Sequence, residues 1–126
     1  MRFLIIVKAG AEPEAGTLPD AGLTAAMAEF HAALARDGAL LDAASLTPDA
    51  EGWRIRYGEA GPRVEVGPFG EPGQRIRGYT LIQARSSDEA LEWARRFPTP
   101  HGASRPAQIE VHPVLGLADP HPGRQA

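Results

Sequence analysis

The 126-residue sequence contains no cysteine, which excludes disulfides, thiolate metal sites and cysteine nucleophiles together. It also lacks an excess of basic charge. Thirteen Lys and Arg stand against sixteen Asp and Glu, for a net charge of −3, whereas binding to a phosphate backbone draws on clustered Lys and Arg. Nucleic acid is therefore not expected as a partner. Long apolar runs are missing: the stretch 3–7 is far shorter than a signal h-region or a membrane span. The expectation is a soluble, cytoplasmic chain with no membrane partner. No G-x-S-x-G motif occurs, and the 67–73 loop lacks the Lys-Ser/Thr signature of a phosphate cradle. His31, His101, His112 and His121 show no i, i+4 or H-x-H pairing, so neither a metal site nor a cofactor is expected.

What is present suits a single packed domain. Apolar residues make up 43% and charged residues 23%, enough for one core and a hydrated surface. The 14 Gly and 12 Pro concentrate at residues 9–22, 58–73 and 98–123, marking loops. Residues 1–115 are assigned to the domain and 116–126, with little to bury, to a flexible tail.

Phe3-Leu4-Ile5-Ile6-Val7 is apolar at every position, as in a strand covered on both faces. A chain with two good helices covers one sheet face, so a second subunit is expected over the other. Leu23, Met27, Phe30 and Leu34 form one helical stripe, with Asp20 or Thr24 as candidate N-cap and Gly38 as C-terminal cap. Ala39–Leu46 reads as a second strand. Trp53–Tyr57 and Arg63–Val66 alternate in polarity and predict a hairpin. After the Gly67–Gln74 loop, Arg75–Ala84 forms the next strand. Ser86 and Glu89 fit a capping box for a helix expected to bury Ala90, Leu91, Ala94 and Phe97 and to stop at Pro98. Ile109–Val114 is the last strand. The order is β-α-β-(β-β)-β-α-β: an α+β, ferredoxin-like βαββαβ core with an inserted β-hairpin.

Several short motifs lie along this order. They are Gly38-Ala39-Leu40, Gly67-Pro68-Phe69 with Glu71, Gly78-Tyr79, Asp88-Glu89-Ala90 with Trp93-Ala94, and Ile109-Glu110-Val111 with Pro113-Val114. Together they resemble the DGPF-domain proteins of the YCII-related superfamily. The resemblance implies a dimeric α+β barrel, in which two sheets meet face to face. It also implies a link to transcription regulation, because such proteins are often encoded beside alternative sigma factors. Three positions depart from the family pattern. Val66 replaces an Asp, Gly73-Gln74 replaces a Lys-Glu, and His112 replaces an Arg. Some relatives carry a His on the first helix paired with an Asp as a proposed catalytic couple. Met27 stands at the corresponding position here, with His31 one turn later.

The leading expectation is a homodimer that binds a small ligand beside the Gly-Pro-Phe loop, through Phe69, Glu71, Tyr79, Arg54 and Arg77. Phe69 is either a pocket wall or a packing plug, and Glu71 either a base or an exposed carboxylate. Arg54 with Arg56, and Arg75 with Arg77, would surround an anion if their strands were neighbours; otherwise they form a solvated face balanced by Glu65 and Glu71. The alternative is an acid/base enzyme using His112 with Glu110, or Glu71 with Asp42. His31 is expected on the flank of the first helix. A protein-partner module is the third reading.

Overall fold

The computed structural model describes residues 1–9, 21–46, 52–67, 75–98 and 107–116. Phe69 and Glu71, and residues 117–126 of the expected tail, lie outside the described residues. The elements run β1 (Arg2–Ala9), α1 (Ala21–Arg36), β2 (Leu40–Ser45), β3 (Trp53–Arg56), β4 (Arg63–Val66), β5 (Arg75–Gln83), α2 (Ser87–Arg95) and β6 (Ala107–Val114). Four strands form an antiparallel sheet in the order β2-β5-β1-β6, while β3 and β4 pair with each other as a separate hairpin. With the hairpin set aside, this is the ferredoxin-like arrangement expected from the element order.

Strand alternation decides which face each helix covers. Phe3 and Ile5 of β1, Thr80, Ile82 and Ala84 at β5, and Ala39 beside β2 are buried with Phe30 and Leu34 of α1 and Ala90 and Trp93 of α2. Phe30 is the hinge between the helices. Its ring meets Trp93 edge-on at 6.3 Å and Phe97 at 5.2 Å, within the range aromatic pairs favour. The other face of β1, Leu4 and Ile6, is only half-buried.

Local signals account for most element ends. Gly38 adopts φ 72°. Its N–H donates to Ala35 O, and the Ala39 N–H donates to Leu34 O, closing α1 with a Schellman motif. Thr24 lies inside α1 and not at its cap, and Asp20 is outside the described residues. At α2 the Ser86 hydroxyl accepts the Glu89 N–H at 3.1 Å. The Glu89 carboxylate turns instead to Arg85 Nε at 2.9 Å, so only half of the capping box forms. Leu91 is 47% exposed, contrary to expectation. It stands about 100° round the helix from Ala90, and Trp93 takes the inward position with Ala90 and Ala94.

Two register shifts interrupt the alternation of the sheet. On β5, Val7 pairs with Gly78 and Lys8 with Ile76, leaving Arg77 as the extra residue. On β2, Leu40 pairs with Ile82 and Asp42 with Leu81, leaving Leu41 extra. Each bulge reverses the inward-outward sequence of its strand. The β2 bulge carries Asp42 to the open face of the sheet, where plain alternation from Leu40 would have turned it toward the helices.

Candidate functional site

The sheet leaves a cavity where β2 and β5 run under the first half of α1. The cavity, of about 350 Å³, is walled by Leu23 and Met27 of α1 and by Phe97, with His31, Thr80, Ser45 and Arg77 among its polar lining residues. Its volume is at the lower end of the range for small-molecule pockets. The helix spacing builds this wall directly: Leu23, Met27 and His31 recur every four residues and so share a face.

His31 and Thr80 form the chemical centre of the cavity. Nε2 of His31 and Oγ1 of Thr80 share a hydrogen bond of 2.9 Å across 49 residues of sequence. Thr80 is 1% exposed, so its hydroxyl depends on this partner. Burial disfavours the imidazolium and lowers the His31 pKa below its ordinary 6.5. Near neutral pH the ring is uncharged, one nitrogen accepting and the other donating. Gly78 lets β5 come close to β2 at this site: a Cβ on it would stand 2.9 Å from the Ala44 carbonyl oxygen.

Tyr79 alternates with Thr80 and so directs its ring to the other face. There its hydroxyl donates to Asp42 Oδ2 at 2.8 Å. That bond holds the proton on the phenol, and the carboxylate beside it opposes a phenolate, so the Tyr79 pKa rises. Glu110 and His112 share this open face, being two residues apart on β6. His112 Nε2 and Glu110 Oε1 lie 3.0 Å apart, and Lys8 Nζ reaches Glu110 Oε2 at 3.1 Å. These contacts, His112 first, hold the Glu110 pKa below its usual value. Two polar clusters thus flank Leu4, Ile6 and Leu81 on the open face.

Arg54 lies elsewhere. On the hairpin, Arg54 and Arg56 both converge on Glu65 Oε1, at 2.8 and 2.9 Å. Because β3 pairs with β4 and not with β5, these guanidiniums and that of Arg77 stand on different sheets. The condition for a cluster of four, that the two strands be neighbours, is not met. Arg77 lines the cavity, whereas Tyr79 joins Asp42 on the open face and Glu110 joins His112. Phe69 and Glu71 are outside the described residues.

His31 and Thr80 are the residues that the strand-and-loop reading of the site passes over. The signal for His31 was its four-residue spacing from Met27, which places it on the stripe, not on its flank. Thr80 carries no local signal; its role comes from the pairing of β5 with the elements around it. Among the described residues, no group of three or more His, Asp or Glu is placed to hold a metal ion.

The family model of the YCII-related domain matches residues 1–113. No curated protein matches the chain closely enough to be compared with it.

Proposed function

The chain belongs to the YCII-related domain family, and from that premise we propose that it binds a small ligand between α1 and the β2–β5 edge. The observation that carries this reading is the mainly apolar cavity of about 350 Å³ into which the hydrogen-bonded pair His31 and Thr80 converges. An apolar wall with a few fixed polar groups is the usual composition of a small-molecule site. The ligand is compact and mostly apolar, with one group that hydrogen-bonds a neutral imidazole.

The protein works as a homodimer in this reading. Leu4, Ile6 and Leu81 form an apolar centre on a sheet face that neither described helix covers, and a second copy of the chain satisfies it. No described helix is long and apolar enough to cross a membrane, and a cysteine-free chain suits the cytoplasm as well as any compartment. Glu110 is held ionised and Tyr79 protonated, which leaves each a poor proton carrier near neutrality.

The test is a thermal-shift screen of small carboxylic acids, phenols and amides on the wild-type protein and on Met27→Trp, which fills the cavity. Compounds that stabilise the wild type and fail with Met27→Trp support the reading. Equal shifts in both proteins place binding elsewhere and overturn it.

A further inference from the structure

The β3–β4 hairpin is a two-faced ribbon. The register pairs Trp53 with Val66 and Ile55 with Val64, and pairs Arg54 with Glu65 and Arg56 with Arg63. One face is therefore wholly apolar and the other wholly charged. On the charged face Glu65 bridges Arg54 and Arg56. On the apolar face Trp53, Ile55, Val64 and Val66 are between 48% and 72% exposed. A two-stranded hairpin is marginal on its own in water, and a ribbon polarised this way is built to lie on an apolar surface.

The chain supplies one such surface. Leu46 and Ile76, each 46% exposed, stand at the end of the sheet from which the hairpin leaves. Ile76 pairs with Lys8, which puts it on the open face and extends the apolar patch of Leu4, Ile6 and Leu81. Within one chain the four hairpin side chains, Leu46 and Ile76 stay exposed, and Leu4, Ile6 and Leu81 are half-buried.

We propose that the β3–β4 hairpin is an arm exchanged between two copies of the chain, its Trp53/Ile55/Val64/Val66 face lying on the open sheet face of the other copy. The area agrees. The four side chains expose on the order of 400 Å² on one face, the size of the largest apolar patch on a typical monomer, and such patches are often functional. Two arms and the two surfaces that receive them bury on the order of 1,600 Å², the size of a standard stable interface. The exchange is reciprocal, as two-fold symmetry requires. It rests on the homodimer reading and adds the element that carries it.

The absence of cysteine makes a direct experiment available. Val66→Cys introduces a single thiol, to which a benzophenone maleimide is attached and photolysed. The expected product is a species of twice the chain mass on a denaturing gel, with the new bond mapped to β1, β2 or β5. Products confined to single chains overturn the exchange, because the arm then lies on its own sheet or in solvent. A second measurement uses Trp53→Ser combined with Val64→Thr, both at exposed positions whose replacement leaves the core intact. Dimer dissociation followed by light scattering is expected to weaken more than tenfold. An unchanged dimer in that variant overturns the arm and leaves the dimer standing, whereas a wild-type chain of monomer mass removes both.

Discussion

Replacing Thr80 by Val isolates the polar pair on which the site depends. The two side chains have nearly the same shape, so the core around the 1%-exposed Thr80 stays filled. What is lost is the 2.9 Å bond to His31 Nε2. A hydrogen bond of this kind contributes about 1 kcal/mol, and leaving its partner unpaired adds a further about 1 kcal/mol when that partner is only partly buried. The methyl that replaces the hydroxyl returns roughly 0.8 kcal/mol of hydrophobic burial. The net expectation is a loss of about 1 kcal/mol, or a Tm lower by about 3–5 °C for a chain of this size. Urea denaturation at pH 8, where His31 is uncharged, measures it. A double-mutant cycle with His31→Leu is expected to show coupling of about 1 kcal/mol. Should Thr80→Val prove as stable as the wild type, or the two substitutions simply add, the pair is not the polar centre described above.

Three further expectations come from the same packing. Leu34 is fully buried beneath the sheet, so Leu34→Ala is expected to cost about 2–5 kcal/mol in urea denaturation. Gly78→Ala sets a methyl 2.9 Å from the Ala44 carbonyl oxygen and 3.4 Å from Ser45 Cα. The β2 strand must then move away, at about 1–3 kcal/mol, and an unchanged Tm would contradict the close approach. The pH dependence has a definite sign: the His31 pKa is lowered in the fold, so the unfolded chain takes up that proton first. Stability is complete above the ordinary 6.5 and falls as pH drops through the lower folded value. That decline is expected to shrink in His31→Gln, and a decline of the same size in both proteins would assign it to another group.

The order of elements was open to sequence reading because each carries its own periodicity and stop signal. Leu23, Met27, Phe30 and Leu34 announce α1, Gly38 ends it, and Ser86 opens α2. The hairpin was equally legible, since Trp53–Arg56 and Arg63–Val66 alternate in step. Bulges were not. Nothing local distinguishes Leu41 or Arg77 from an ordinary strand residue, yet the shift at Leu41 is what brings Asp42 beside Tyr79. The site depended on such tertiary facts. Glu110 and His112 share a face by simple alternation, but His31 and Thr80 are 49 residues apart and meet only once β5 lies beneath α1. Leu91 shows the converse, an apolar residue whose angular position on a short helix points it to solvent.

The most direct test of the binding account is the NMR spectrum of protein labelled with ¹⁵N at histidine, recorded while the compound giving the largest thermal shift is titrated in. The account predicts that the His31 ring nitrogens move in proportion to occupancy while those of His112, on the opposite sheet face, stay in place. Saturable binding that leaves the His31 ring unmoved would contradict it.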